Sequence, residues 1–115
     1  MSSEKLQIVI SEGSRGKRIF SLNGPLTIDT VVKFQDAVRS ESSPVLILDF
    51  TKVPFIDTSG LSALVAAHVS ARKSDRKILF AAFNNQARTA IELTHLSQVF
   101  PTYYTIQDAE AAVAA

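Results

Sequence analysis

The sequence predicts one α/β domain: a four- to five-stranded, mostly parallel mixed sheet packed with about four α-helices. Three observations carry this. Two apolar runs without a polar face, Val45 to Leu48 and "KILFAAF" at 77–83, read as strands covered on both sides. In the second half such runs alternate with helical patterns, which implies βαβ crossovers and hence parallel pairing. At the start, Leu6, Ile8 and Ile10 alternate with Gln7 and Ser11, as one arm of an amphipathic hairpin does.

Each element follows in order. The turn-forming "SEGSRGK" joins the first arm to a second, "RIFSL", which Asn23-Gly24-Pro25 breaks. Thr30 is placed to cap a helix in which Val31, Phe34 and Val38 recur at helical spacing. "ESSPVLILDF" ends that helix and begins the central strand. A second helix follows Asp57, with Leu61, Leu64, Val65 and His68 on one stripe, and Ala63, Ala66, Ala67 and Ser70 form a small-residue surface beside it. That surface suits close helix packing or a shallow docking face. Then come "KILFAAF", a loop at Asn84-Asn85, a third helix over 86–94, a short strand "TYYTI", and a last helix "QDAEAAVAA" that Asp108 is positioned to cap. There is no repeat, linker or low-complexity stretch, so residues 1–115 read as a single domain with its core at about 5–113.

Composition excludes several classes of function. A 115-residue chain with 46% hydrophobic residues buries roughly two thirds of its unfolded surface and needs no staple. The absence of cysteine removes disulfide frameworks and thiolate metal sites, and leaves the cytoplasm as the expected compartment. Twelve Lys and Arg against 11 Asp and Glu, scattered along the chain, show no footprint for nucleic acid. Glu4 precedes only a very short apolar run, whereas a secretory signal has a basic start and an apolar core of about 7 to 15 residues. No stretch approaches the roughly 18 to 20 apolar residues of a membrane span.

The chemistry concentrates at Asp57-Thr58-Ser59-Gly60, between the central strand and the second helix. At a helix N-terminus the hydroxyls and the carboxylate are candidate caps for unsatisfied N–H groups, with Gly60 easing close packing. The same N–H groups and the positive end of the helix dipole also accommodate a phosphate on a neighbouring hydroxyl. Catalytic readings fail on detail. An aspartic protease needs a second carboxylate in a shared site, and Ser59 interrupts the Asp-Thr-Gly order. A serine hydrolase elbow needs glycine two residues before Ser59, where Asp57 stands. No phosphate-cradling glycine loop is present, and His68 and His95 lack metal-ligand spacing, so neither cofactor nor metal is expected.

Taken whole, residues 5 to 113 resemble the STAS domain family, and within it the single-domain bacterial anti-sigma factor antagonists. The resemblance rests on "FSLNGPLTIDTVVKFQDAV", similar to the family's strand, glycine turn and first helix, on "LILDFTKVPFIDTSGLSALV", similar to its signature, and on a closing "NNQARTAIELTHLSQVFPTYYTIQDAEAAV". It implies a protein without catalysis of its own that binds an anti-sigma factor serine/threonine kinase when unmodified. Phosphorylation releases that kinase, and a phosphatase restores binding. Carried onto this sequence, the acceptor is Thr58, with Ser59 as fallback, and the partner-binding residues are Asp57, Thr58, Ser59, Gly60, Leu61, Gly24 and Thr27. The expected state is a monomer or weak dimer, with no membrane insertion. Two residues depart from the pattern: threonine stands where serine is usual, and Thr27 follows Leu26 where an acid is common. Thr58 also fits two other uses of the domain, as a stressosome-type scaffold subunit and as a soluble subunit of a lipid or anion transport system.

Overall fold

The computed structural model describes residues 5–113. Among them five strands and four α-helices alternate: β1 (Gln7–Glu12), β2 (Arg18–Asn23), α1 (Val31–Arg39), β3 (Val45–Lys52), α2 (Thr58–Lys73), β4 (Lys77–Ala81), α3 (Asn85–Leu93), β5 (Thr102–Tyr103) and α4 (Ile106–Ala112). The strands pair in chain order, β1 antiparallel to β2 and every later pair parallel, which is the mixed sheet the sequence predicts.

Side-chain alternation along β3 divides the interior. Leu46, Leu48 and Phe50 face the larger core, with Phe34 of α1, Leu64 of α2 and Ile91 of α3. Ile47 faces the other way, onto Leu79, Ala81 and Ala109, so α4 alone covers that side. Because both faces are covered, the strand carries no polar alternation over 46–48. Phe50 packs on Phe83 and Phe80 on Phe100, each pair with ring centroids 4.3 Å apart. This aromatic column ties β3 and β4 to the ends of their neighbouring loops.

Several local expectations are corrected. Thr30 occupies the position before α1 but makes no side-chain cap. Its hydroxyl turns back into the loop, donating to the Pro25 carbonyl at 2.8 Å and accepting from the Thr27 N–H at 2.9 Å. Thr105, not Asp108, caps α4, its hydroxyl accepting the Asp108 N–H at 3.0 Å. "TYYTI" contributes only Thr102–Tyr103 to the sheet, because the Thr105 cap already begins the helix. The run "KILFAAF" ends its strand at Ala81, since Ala82 adopts a φ of 67° and turns the chain. Helix α3 starts one residue early, at Asn85, capped by Asn84. On α2 the buried stripe is Gly60, Ala63, Leu64, Ala67, His68 and Ala71, with Leu61 and Val65 half-buried at its margin. Of the small-residue surface, Ala63 and Ala67 are buried, in a groove shared with Phe34 and Val38 of α1, while Ala66 and Ser70 remain exposed. Residues 114–115 of the expected last helix lie outside the described residues.

His68 is 8% exposed and meets Phe100 edge-on, its ring centroid 6.0 Å away. Burial, and after it the charge of Arg72, holds its pKa below the ordinary value of 6.5. The fold therefore favours the neutral imidazole, and the unfolded chain takes up this proton first as pH falls. Stability from this group is complete above the ordinary pKa and declines as pH drops through it. Urea unfolding at pH 7.5 and pH 5.5 is expected to show lower stability at the acid end, with a smaller difference in His68→Leu.

Candidate functional site

Two loops meet at the carboxyl end of the parallel strands. After β2, Gly24 donates its N–H to the Lys52 carbonyl at 3.1 Å and holds a φ of 128°. A side chain there would also run into the Lys5 carbonyl, so only glycine lets the two backbones pass. Next along, Leu26 donates to the Phe55 carbonyl at 2.9 Å, and Asp57 donates to the Leu26 carbonyl at 3.1 Å. The segment before α1 is thereby laid beside the segment before α2.

Asp57 completes the join. Its backbone is extended, at φ −93° and ψ −175°, and it is the N-cap of α2. Oδ1 accepts the Gly60 N–H at 2.9 Å while Oδ2 accepts the Ile28 N–H at 3.0 Å, so one carboxylate binds a helix end and a loop distant in sequence. Its carbonyl accepts the Leu61 N–H at 2.9 Å. Gly60 lies against the loop itself: a methyl there would collide with the Leu26 carbonyl oxygen and come within 2.7 Å of Ile56 Cγ2.

Of the three candidate caps, Asp57 takes the bond, and neither the Thr58 nor the Ser59 hydroxyl is hydrogen-bonded among the described residues. Thr58 is exposed and Ser59 half-buried. Their N–H groups, in the first turn of a 16-residue helix, have no acceptor within it. Thr27 is half-buried, its hydroxyl accepting the Asp29 N–H at 3.3 Å, and Leu61 is half-buried against the core. Gly24 and Gly60 therefore shape the site from beneath, while Thr58, Ser59 and Thr27 offer groups to its surface.

Sequence reasoning passed over part of this surface. Ile28 is 66% exposed, Val32 62% and Phe55 50%, large apolar side chains on the two joined loops and the first turn of α1. A shallow depression of about 430 Å³ separates the helices here, lined by Val31, Gln35, Thr58, Ser59, Ser62 and Ala66 among others. The signal was present: Val32 is out of phase with Val31, Phe34 and Val38, and Ile28 is an apolar residue in a polar loop. His68 and His95 are not part of the site. The first is buried on α2 against Phe100, and the second, exposed and with a φ of 60°, follows α3. No group of three potential ligands that could hold a metal occurs among the described residues, and none of their helices is long and apolar enough to cross a membrane.

The family model described as the STAS domain matches residues 6–109. The chain belongs to the STAS domain family. Among solved structures, it is similar to an anti-sigma factor antagonist from Mycobacterium paratuberculosis, at 26% identity over 96% of this chain and 95% of the other, with a TM-score of 0.86. A sulfate transporter family protein from Wolinella succinogenes follows at 21% identity, 89% and 88% coverage and a TM-score of 0.78. The phosphorylated form of the Bacillus cell fate determinant SpoIIAA matches at 14% identity, 93% and 99% coverage and a TM-score of 0.71. The last two establish the STAS fold alone.

The contacts at this STAS motif separate structural from surface roles. Gly60→Ala forces two backbones apart and is expected to cost about 1 to 3 kcal/mol despite alanine's better helix propensity. Thr58→Ala breaks no hydrogen bond and is expected to stay within about 0.5 kcal/mol of the parent. Denaturant midpoints of the two variants at pH 7.5 check both values.

Proposed function

We propose that this STAS domain is an anti-sigma factor antagonist, a cytoplasmic protein-interaction module switched by phosphorylation at Thr58 and without catalysis of its own. The observation that carries the reading is the division of labour at α2: Asp57 does the capping, so the Thr58 hydroxyl is exposed and uncommitted at the helix N-terminus. The antagonist from Mycobacterium paratuberculosis, which shares this fold over nearly its whole length, supports it.

The switch follows from charge. A partner kinase moves the γ-phosphoryl group of ATP to Thr58: the Oγ1–P bond forms, the bridging P–O bond breaks with ADP leaving, and the hydroxyl proton passes to the kinase's base. The product adds about 1.5 to 2 negative charges at neutral pH, beside Asp57. The positive end of α2 and the open N–H groups of Thr58 and Ser59 tolerate that charge, so the domain stays folded. An acidic partner surface docked over Ile28, Val32, Phe55 and the helix end does not tolerate it, and lets go. Gly24, Thr27 and Leu61 support that docking face, and a phosphatase returns the unmodified form. That the phosphorylated form of SpoIIAA carries the same fold is consistent with a switch that changes binding and leaves folding intact.

The expected cost of the added charge to partner binding is about 1.5 to 4 kcal/mol, roughly tenfold to a thousandfold in affinity. Thr58→Glu should reproduce most of this loss in a titration against the anti-sigma factor kinase, and Thr58→Ala should keep binding while blocking modification. Mass spectrometry after incubation with that kinase and ATP should place the phosphate on Thr58. Phosphate on Ser59 alone would move the acceptor by one residue. No phosphate anywhere, with all variants binding equally, would overturn the switch and favour a scaffold or transporter-associated role for the fold.

A further inference from the structure

The far end of α2 holds a second surface that the switch does not use. Helix α2 has 16 residues, which places its C-terminus about 24 Å from Thr58. There the chain reads Arg72, Lys73, Ser74, Asp75, Arg76, Lys77, and the start of β4, β5 and the end of α4 close around it. The result is a pocket of about 570 Å³, within the range of small-molecule sites, with Arg72, Arg76 and Lys77 set against one carboxylate, Asp75. One short charged run is thus set by the fold against the apolar residues of β4, β5 and α4.

Among the described residues these cations form no ion pair. The ion pair formed among the described residues is Arg39 with Asp36, on α1, and it leaves every basic group of this pocket unneutralised. Favourable interaction with the helix dipole accounts for Arg72 and Lys73 in the last turn, but not for Arg76 and Lys77, which come after the helix has ended. The helix end itself is closed, since the N–H groups of Ser74, Asp75 and Arg76 already satisfy the Ala71 and Arg72 carbonyls. Arg76 is anchored by Nε, which donates to the Ser43 carbonyl at 2.8 Å, yet its Nη2 is buried without an acceptor. Three basic side chains lining one pocket against a single carboxylate are the feature an anionic ligand would satisfy. The rest of the lining is apolar or aromatic, from Ile78, Val99, Pro101 and Tyr103. Burial and Arg72 hold His68 on the same wall neutral, so it adds no charge and can donate or accept one hydrogen bond.

We propose that this pocket binds a small phosphomonoester with an apolar body, its phosphate held by Arg72, Arg76 and Lys77 and its body laid on Val99, Pro101 and Tyr103. Bidentate guanidinium contacts suit the phosphate oxygens, and the apolar wall discriminates against the bare ion. Because the pocket is remote from Thr58, occupancy and phosphorylation are separately measurable.

The test uses phenyl phosphate as the probe, followed by amide NMR of the whole chain. Saturable shifts are expected at Lys77, Tyr103 and Val113, with Thr58 and Ser59 unmoved. Arg72→Glu, an exposed position whose fold is checked by thermal melting, should weaken binding by about tenfold or more, and Arg72→Lys, which keeps the charge but loses the bidentate fork, should recover only part of it. Three controls decide against the proposal. Equal shifts with phenol or with inorganic phosphate would mean no composite site. Sedimentation with phosphatidylglycerol vesicles, without saturable phenyl phosphate binding, would make the cluster a lipid-surface contact. Tighter binding of a polyglutamate peptide than of phenyl phosphate would make it a docking patch for an acidic protein.

Discussion

The carboxylate of Asp57 is the joint on which the functional end of the domain depends. One oxygen holds the first turn of α2 through Gly60 and the other holds the loop before α1 through Ile28. Charge-assisted bonds to backbone N–H are about twice as strong as neutral ones. Two from one side chain fix both the entry of the helix and the position of a loop 29 residues away in sequence. The surrounding bonds, Leu26 N–H to the Phe55 carbonyl and Asp57 N–H back to the Leu26 carbonyl, are reciprocal, so the two segments form one surface. Gly24 and Gly60 permit this, because each sits where another backbone passes too close for a side chain.

That joint explains why an acid precedes two hydroxyls. Had Thr58 or Ser59 capped the helix, modifying its oxygen would have removed the cap and cost roughly 0.5 to 2 kcal/mol of folding stability. With Asp57 as the cap, the hydroxyl that faces solvent has no structural duty, and its chemistry can change without cost to the fold. A rigid scaffold below and a free group above is the arrangement a binding switch requires. In the switch proposed above, the phosphate arrives beside the existing charge of Asp57, which sharpens the contrast with the unmodified surface.

How much of this was legible in the sequence varied with the range of the interaction. The sheet could be read because β3 and β4 are buried on both faces and so carry unbroken apolar runs, Leu46 to Leu48 and Ile78 to Ala81. The helix start at Asp57 followed from the local chemistry of capping. Where two local solutions compete, sequence did not choose between them. Thr30 could have capped α1, but its hydroxyl found Pro25 and Thr27 in the loop instead. Thr105 and Asp108 both suit an N-cap, and the backbone turned at Thr105. The bond from Ile28 to Asp57 and the placing of Tyr103 beside the basic run at 72–77 were illegible, because each is created by packing between segments. The exposed Ile28, Val32 and Phe55 lie between these cases. Their departure from the amphipathic pattern was visible, but the joining of the two loops that carry Ile28 and Phe55 was not.

Native-state hydrogen exchange tests the joint most directly, comparing the wild type with Asp57→Ala at the Ile28 and Gly60 amides. Losing a charge-assisted bond at each is expected to raise both exchange rates together, by about tenfold or more, while the Leu48 amide in the central strand keeps its protection. If Ile28 exchanged at the wild-type rate in the variant, with only Gly60 released, Asp57 would be a simple helix cap. The two loops would then be held together by something else.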